Sequence, residues 1–262
     1  FIGAEGTLGI ITAAVLKLFP RPAEKATAML ALPDIAPALE LFNLAQDAAG
    51  SALTAFEFIP RTMMEFVLRH VAGARDPFDC PQPWYVLMEI SGAKADGGAE
   101  AAMTDILQAG IARGLVLDAR IAASLTQARD FWRLRESVSE AQKPEGGNIK
   151  HDISVPIARI PEFVRRANAA VEALCPGARP LPLGHFGDGN VHYNIAQPVG
   201  MDKAAFLAMW DDIAHAVYAV VLDLGGSISA EDGLGHIKGA ELGQGERGVE
   251  IGLMGGNKGA VG

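Results

Sequence analysis

The sequence predicts an α+β domain in which helices cover one face of a largely antiparallel sheet. β-α-β patterns recur along the chain, and a predicted β-hairpin is interleaved with them in the second half. Of the 262 residues, 50% are apolar and 20% are charged, which is an ordinary balance for a globular protein. This length is sufficient for one large domain or two small ones.

Short runs of β-branched and apolar residues predict the strands of the first half, because such runs fit a buried sheet. These strands are expected after the Gly-rich turn that ends at Gly9, and at residues 28–32, 53–59, 85–90 and 115–122. Between them, apolar residues at helical spacing predict a helix capped by Asp34, a short helix at 61–70 and a helix around Met103. Ser124 and Gln127 have the spacing of a capping box, which opens a further helix.

The same alternation continues around the hairpin in the second half. Its predicted elements are a strand at 149–155, a helix at 161–174, a long helix at 206–224, a short strand at 227–230 and a final helix after Gly233.

The segment from Gly184 to Asn194 carries the strongest indication of function. Its centre is Asp188-Gly189, a dipeptide that favours a two-residue type I′ turn. Such a turn places His185 directly opposite His192, with Cβ atoms about 4.5–5.5 Å apart, and Asn194 on the same face. Two imidazoles side by side predict half of a metal site. The alternative is a hairpin whose histidines bond locally, and a turn longer by one residue would put them on opposite faces.

Two predicted elements bring hydrogen-bond donors for an acid. Arg135 and Ser139 are four residues apart on a predicted helix and share one face. Lys150 lies on the same side of its predicted strand as Asp152. An arginine, a hydroxyl and a lysine that converge would bind a carboxylate. The alternative, at least as well supported by these residues alone, is a solvated helix face and an edge lysine.

Glu231 follows a predicted strand and could complete a His, His, Glu set that leaves positions open for substrate. It could equally be a helix N-terminal charge. Among the other histidines, His70 and His215 are expected to be structural or on the surface, and His151 to be packed. His236 stays open.

Composition excludes several classes of function. The net charge of −9 argues against non-specific nucleic-acid binding, and no apolar run is long enough to span a bilayer. Cys80 and Cys175 are far apart and suit a reducing cytoplasm, which is the location we predict. The chain opens at Phe1 directly into a Gly-rich segment without a signal pattern, so we expect a fragment or a chain that lacks its first domain.

Four segments resemble the C-terminal part of the FAD-linked D-2-hydroxy-acid dehydrogenases, the D-2-hydroxyglutarate, D-lactate and glycolate oxidase-subunit type. They are Gly3 to Thr12, Trp132 to Glu136, His185 to His192 with its His-x-Gly-Asp-Gly-Asn-x-His pattern, and Ser227 to Glu231. The resemblance implies a ferredoxin-like, duplicated α+β substrate domain at residues 23–262, preceded by the tail of a flavin-binding domain at residues 1–22.

The resemblance also implies cofactors and site residues. The cofactors are FAD and a divalent metal, zinc or manganese. The implied metal ligands are His185, His192 and Glu231, and the implied substrate-binding residues are Arg135, Ser139, Lys150 and Asn194. Backbone at Glu5, Gly6, Gly9 and Ile10 is expected to contact the flavin.

In the implied mechanism, the metal acidifies the substrate 2-hydroxyl, a base removes its proton, and the C2 hydride passes to flavin. The family has Glu-His-Gly where this chain has Glu231-Asp232-Gly233, so Asp232 stands at the position of the base. An aspartate, with an ordinary pKa of about 3.9 against about 6.5 for histidine, is the weaker base unless burial raises its pKa. The Gly-rich end at 252–262 stops before the family's closing segment, and we expect this polypeptide alone not to hold FAD tightly.

The prediction is therefore an oxidoreductase for a D-2-hydroxy acid, of the D-2-hydroxyglutarate or D-lactate class, with FAD. One alternative is a non-catalytic metal- and carboxylate-binding module, which Asp232 favours, and another is a zinc hydrolase, which nothing else in the chain supports. A dicarboxylate substrate needs a second basic contact, for which Arg133 and Lys143 are candidates. The electron acceptor stays open, and a homodimer is implied by the resemblance.

Overall fold

An antiparallel sheet of seven strands forms the centre of the molecule in the computed structural model, which describes residues 8–233 and the positions 252 and 256. The strands are β1 (Glu24–Leu32), β2 (Leu53–Pro60), β3 (Trp84–Gly92), β4 (Asp118–Ile121), β5 (Asn148–Ser154), β6 (Arg179–His185) and β7 (Asn190–Ala196). Their order across the sheet is β4-β1-β3-β2-β6-β7-β5, and every neighbouring pair runs antiparallel. The predicted α+β class is confirmed.

Eight α-helices accompany these strands within residues 8–233. They are α1 (Ala36–Ala49), α2 (Arg61–His70), α3 (Gly98–Ala112), α4 (Leu125–Glu136), α5 (Val138–Ala141), α6 (Ile160–Leu174), α7 (Lys203–Leu207) and α8 (Trp210–Asp223). The predicted cap at Ser124 forms, because its Oγ accepts a hydrogen bond from Gln127 N. The predicted cap at Asp34 is wrong: Ile35 is the N-cap residue of α1, without a side-chain cap bond, and Asp34 Oδ1 accepts only from the adjacent Ile35 N. Every helix in this part of the chain lacks the combination of length and apolar character that crossing a membrane requires.

The two halves of the chain repeat one topology. In the first half, β1-α1-β2 and β3-α3-β4 interleave in the order β4-β1-β3-β2. In the second half, β5-α6-β6 and β7-α8 give the order β6-β7-β5. A bridge between Ser154 and Ser227 places the chain after α8 beside β5, as β4 lies beside β1 in the first half. The halves join where Glu57 of β2 pairs with His185 of β6. This is the duplicated, ferredoxin-like arrangement that the resemblance implies.

Helices lie on both faces of the sheet, and each face has its own core. The larger core, under α1, α3, α6 and α8, takes alternate residues of β1, β2, β3, β5 and β7. The smaller core lies on the opposite face under α2, α4 and α5. The prediction of helices on one face is correct for the four longest helices. It is wrong for α2, α4 and α5, which cover the other face. Helical periodicity identifies an apolar stripe without indicating which face of a sheet receives it.

The structure differs from the predictions in the second half of the chain. The long helix expected at 206–224 is two helices, because a turn at Ala208 and Met209 separates α7 from α8. Phe206 and Ile213 are both fully buried in the larger core, so the apolar pattern continues across the break. The strand expected at 227–230 is reduced to the Ser154–Ser227 bridge.

The segment before β1 was predicted as a strand, and this prediction is wrong for its described part. Residues 9–22 have no regular secondary structure, and Val15, Leu16, Leu18 and Phe19 are exposed. A strand needs a neighbouring backbone to satisfy its N–H and C=O groups, and within the described residues this segment pairs with none. Its assignment to a flavin-binding domain stays a prediction.

Candidate metal and acid-binding site

The predicted site residues share the sheet face that carries the smaller core. The apolar residues of β5 and β7 point into the larger core, which leaves their polar neighbours on the opposite face. Those neighbours include Lys150, Asp152, His192 and Asn194. His185 ends β6 two residues after Leu183, which belongs to the smaller core, so His185 lies on this face too.

The hairpin between β6 and β7 has a longer turn than the predicted two-residue turn. His185 pairs with Asn190, and His192 pairs with Leu183, so four residues, 186–189, form the connection. The predicted opposition of His185 and His192 is therefore wrong. The register is offset by two residues rather than one, so the two histidines keep a common face and become diagonal neighbours. Their ring centroids are 5.7 Å apart.

Phe186 explains the longer turn. Its side chain is fully buried, and its ring centroid lies 5.5–5.8 Å from those of Phe42, Phe56 and Phe58. Its backbone N–H donates to the carbonyl of Phe56 on β2 rather than to β7. Burial of an aromatic side chain contributes on the order of 2–3 kcal/mol, which outweighs the preference of Asp-Gly for a tighter turn.

Gly189 closes this turn in a conformation that favours glycine. Its φ is 80°, and a Cβ at this position would lie 2.2 Å from the carbonyl oxygen of Val155. The carbonyl of Gly189 accepts a hydrogen bond from Val155 N at 3.0 Å, so the turn is attached to the end of β5. The backbone approaches this closely only because no side chain stands between.

His185, His192 and Glu231 come together above the sheet. Glu231 Oε1 lies 3.1 Å from His185 Nδ1, and its Oε2 lies 3.7 Å from His192 Nε2. One nitrogen or oxygen from each of the three side chains lies within 4.8 Å of the other two. Two imidazoles and a carboxylate are a donor set that zinc accepts with positions left for substrate. The donors present fit the predicted metal, and their role as ligands stays a prediction.

Each histidine has a further carboxylate beside its other nitrogen. Glu57 Oε2 lies 3.8 Å from His185 Nε2, and Asp152 Oδ1 lies 3.3 Å from His192 Nδ1. Among the influences on the pKa of Asp152, burial is the largest, and it disfavours the charged form of the carboxyl group. Hydrogen bonds from His192, the Asp232 N–H, Asn190 and the Glu231 N–H nevertheless hold the pKa of Asp152 well below its ordinary value. Asp152 is therefore a carboxylate at neutral pH.

Arg135 lies beside this centre, but it is not on one helix with Ser139. α4 ends at Glu136, and Ser139 belongs to the short α5, where it is exposed. The Nε of Arg135 donates to Glu57 Oε2 at 2.8 Å, and both side chains are largely buried. The same Glu57 oxygen thus lies between Arg135 and His185. Trp132, one turn earlier, donates to Glu89 Oε2 at 3.0 Å and holds α4 against the sheet.

Lys150 and Asn194 are direct neighbours across β5 and β7. Lys150 is exposed, whereas Asn194 is buried and donates from Nδ2 to Gln142 Oε1 at 3.1 Å. Gln142 also accepts from Asn148 Nδ2, and it was not recognised from the sequence. The candidates for a second acid contact are bonded elsewhere, since Arg133 donates to the carbonyl of Ala72 and Lys143 to Glu140.

Asp232 lies at the edge of the site with an exposed side chain. Its N–H donates to Asp152 Oδ2, and within the described residues its own carboxylate makes no hydrogen bond or ion pair. Of the predicted flavin contacts, Gly9 has a φ of 125° and Ile10 is 92% exposed. Glu5, Gly6 and His236, and the helix predicted after Gly233, lie outside the described residues.

A cleft of about 440 Å³ adjoins His185 on the side of α1 and β2. Its polar lining includes Gln46, Thr54, Glu57 and Asp188, and its described walls contain neither lysine nor arginine. Two carboxylates in the wall disfavour an anionic group there. The positively charged groups beside the site, Arg135 and Lys150, lie outside these walls.

The fold and the site together define a duplicated antiparallel α+β domain that presents two histidines and a glutamate on one face of its sheet. Residues 21–261 match the family described as FAD linked oxidases, C-terminal domain, and the chain belongs to this family.

Relatives and solved structures agree with this assignment. The chain is 36% identical over 257 residues to a D-2-hydroxyglutarate dehydrogenase of Xanthomonas citri pv. viticola, covering 98% of this chain and 53% of the relative. It is 35% identical to the proteins named mitochondrial D-2-hydroxyglutarate dehydrogenase from Arabidopsis thaliana (92% of this chain, 42% of the relative) and Rattus norvegicus (97% and 46%). The chain thus spans about half the length of these relatives.

Two solved structures share the fold. A structure of p-cresol methylhydroxylase with substrate bound aligns with a TM-score of 0.64 at 10% identity, over 92% of this chain and 51% of that one. An alkyldihydroxyacetonephosphate synthase aligns with a TM-score of 0.59 at 16% identity, over 99% of this chain and 46% of that one. At these identities the likeness supports the fold alone.

Proposed function

We propose that this chain is the substrate-side part of an FAD-dependent dehydrogenase that oxidises a D-2-hydroxy acid, of the D-2-hydroxyglutarate or D-lactate class, to the 2-oxo acid. The observation that carries the proposal is the convergence of His185, His192 and Glu231 on the sheet face that borders Arg135. Membership of the FAD-linked oxidase family and the names of the relatives support it.

His185, His192 and Glu231 would hold a zinc or manganese ion. When bound, the metal supplies Lewis acidity toward the substrate 2-hydroxyl, and FAD supplies the acceptor for the C2 hydride. The chain's own contribution is to present three donors at short range, with a carboxylate beside the second nitrogen of each histidine. Glu5, Gly6, Gly9 and Ile10 are the proposed flavin contacts.

Arg135 and Lys150 would bind the substrate carboxylate, with Ser139 and Asn194 as further contacts. Within the described residues Arg135 donates from Nε alone, so Nη1 and Nη2 are directed to no other protein acceptor. A guanidinium held at one edge can present its two terminal N–H groups to a carboxylate. Held in this way, the acid would have its C2 carbon oriented toward the flavin.

The hydroxyl proton needs a base while the C2 hydrogen leaves with two electrons as hydride. Asp232 is the proposed base, because its exposed carboxylate follows directly after the ligand Glu231. A carboxylate is a weaker base than a neutral imidazole. Proton removal by Asp232 would therefore depend on the Lewis acidity that a metal held by His185, His192 and Glu231 would supply.

The second candidate is a metal- and carboxylate-binding module without catalysis. Asp232 favours it, because the resemblance places a histidine at this position. Asp232→His in a full-length flavoprotein separates the two hypotheses. Oxidation of a hydroxy acid by either form supports the dehydrogenase, inactivity of both supports the binding module, and no gain from Asp232→His counts against Asp232 as a defect.

The proposed function is tested in a chimera in which residues 21–261 replace the matching part of the Xanthomonas relative. The purified flavoprotein is mixed without oxygen with D-2-hydroxyglutarate, D-lactate or their L-enantiomers, and flavin absorbance is followed. The proposal predicts bleaching by a D-acid, slowed when C2 carries deuterium, and none by the L-acid. A chimera that retains flavin and metal but is bleached by neither D-acid would contradict it.

A cytoplasmic location and a homodimer are also part of the proposal. Two free cysteines suit a reducing compartment. The relatives from Arabidopsis and rat are named mitochondrial, so fractionation of the source cells is the direct test. Light scattering of the purified chain tests the dimer.

A further inference from the structure

Asp152 is a buried carboxylate that contacts both β7 and the segment that carries Glu231. It is 8% exposed and stands directly opposite His192 in the β5–β7 pair. Its Oδ1 lies 3.3 Å from His192 Nδ1 and accepts a hydrogen bond from Asn190 Nδ2 at 3.1 Å. Its Oδ2 accepts the backbone N–H groups of Glu231 at 2.8 Å and Asp232 at 2.7 Å. One side chain therefore bonds the hairpin to the segment that brings Glu231.

We propose that Asp152 is the positioning residue of the metal centre, which sets the tautomer of His192 and holds the backbone of Glu231 within reach of both histidines. This inference rests on the proposed function, because it assigns a role toward the metal held by His185, His192 and Glu231.

The tautomer follows from the hydrogen-bonding capacity of the two partners. A carboxylate oxygen only accepts, and His192 has one on each side, with Asp152 Oδ1 at 3.3 Å from Nδ1 and Glu231 Oε2 at 3.7 Å from Nε2. The nitrogen at the shorter distance, Nδ1, carries the proton of the neutral ring. A neutral imidazole then has its lone pair on Nε2, which is the atom that faces Glu231 Oε2 at 3.7 Å. The nitrogen directed into the cluster is thus the one able to bind a metal.

The backbone contacts place Glu231. Residues 228–233, which follow the bridge at Ser227, have no helix or strand. Their local bonds run from Ser227 to Ser229 and from Ser229 to Asp232. Within the described residues, the bonds from the N–H groups of Glu231 and Asp232 to Asp152 are the hydrogen bonds that join residues 229–233 to the sheet. Two charge-assisted bonds to one oxygen fix the position from which the Glu231 side chain extends.

Asp152→Asn separates this role from a purely structural one. Asparagine has the same shape, and its Oδ1 can still accept the N–H groups of Glu231 and Asp232. Its NH₂ group would face His192 Nδ1, which must then accept, so the proton moves to Nε2 and blocks the ligating atom. Asn190 can accommodate the change, because its buried Oδ1 has no partner and a flip of its amide presents that oxygen to the new NH₂.

The test measures Zn²⁺ affinity by chelator competition in the 262-residue chain, in Asp152→Asn and in Asp105→Asn. Asp105 is an exposed residue of α3 and provides the charge-matched control. We expect 10–100-fold weaker Zn²⁺ binding in Asp152→Asn and unchanged binding in Asp105→Asn. In the metal-free proteins, imidazole ¹⁵N shifts of His192 should report a proton on Nδ1 in the unmodified chain and on Nε2 in Asp152→Asn.

The outcomes distinguish the two proposals. If the unmodified chain binds no Zn²⁺, both the metal-assisted function and this inference are overturned. If it binds Zn²⁺ and Asp152→Asn binds equally well, this inference alone is overturned. If Asp152→Asn does not fold, the His192 shifts of the unmodified chain decide alone, since a proton on Nε2 contradicts the proposal.

Discussion

His185 and His192 lie diagonally across β6 and β7, with ring centroids 5.7 Å apart, although neither is the other's partner in the register. Asn190 faces His185, and Leu183 faces His192. The buried Phe186 lengthens the turn, and the even offset keeps both imidazoles on one face. The candidate metal centre thus depends on the packing of the turn as well as on the histidines.

The conformation of Gly189 gives a test of that dependence. Gly189→Ala should lower the free energy of unfolding by about 1–3 kcal/mol more than Gly200→Ala, measured by urea denaturation. Both glycines have a φ near 80°, but a Cβ meets Val155 O at 2.2 Å at Gly189 and nothing within 4 Å at Gly200. Gly200→Ala should cost only the backbone strain, about 1–2 kcal/mol. Equal losses in the two variants would count against the close approach of the turn to β5.

The ion pair of Arg135 with Glu57 should be strongly coupled. Both side chains are largely buried, at 14% and 10% exposed, and breaking such a pair leaves an uncompensated charge. A double-mutant cycle of Arg135→Met with Glu57→Gln should give a coupling energy of about 2–3 kcal/mol in urea denaturation. The exposed pair of Arg113 with Glu40 is the matched control, for which at most about 1 kcal/mol is expected. Additive effects at Arg135 and Glu57 would show that the pair does not form in solution.

Glu145 should make stability depend on pH on the acid side. Burial opposes its ionisation, but hydrogen bonds from Arg179, His70 and Arg69 lower its pKa from 4.5 to about 2. Because the folded pKa lies below the unfolded one, this stabilisation is complete above about pH 4.5 and is lost as the pH falls toward 2. A shift of this size corresponds to roughly 3 kcal/mol at neutral pH.

The measurement compares unfolding of the unmodified chain and Glu145→Gln between pH 7 and pH 3. The free energy of unfolding of the unmodified chain should exceed that of Glu145→Gln at neutral pH, and this difference should shrink as the pH falls below about 4.5. Glu40→Gln, at an exposed pair, should show little difference at any pH. A difference for Glu145→Gln that stays constant down to pH 3 would rule out the lowered pKa.

Local patterns in the sequence were sufficient for most elements and for the face of the site residues on strands. α2 was predicted with its observed ends. Alternation predicted that Lys150 lies on the same side of its strand as Asp152 and that Asn194 shares the face of His192, and both hold. Such predictions succeed because side-chain direction in a strand depends only on parity.

Contacts between distant segments could not be predicted in this way. Glu57 meets His185 because β2 and β6 join the two halves of the sheet, and their separation in the sequence gives no indication of this pairing. The bonds of Asp152 to residues 231 and 232 likewise depend on where α8 returns the chain. The register of the hairpin was predicted wrongly because Phe186 lengthens the turn. Its burial among three other aromatic rings is a tertiary contact that the local sequence does not indicate.

The central claim is that His185, His192 and Glu231 form a metal centre, and metal content measured by elemental analysis tests it most directly. The purified chain is dialysed against buffer with Zn²⁺ or Mn²⁺ and then against buffer without metal, beside the His185→Ala, His192→Ala double variant and His215→Ala, a histidine on α8. We expect close to one metal per chain in the unmodified protein and in His215→Ala, and almost none in the double variant. Absence of metal from all three proteins, or equal content in all three, would contradict it.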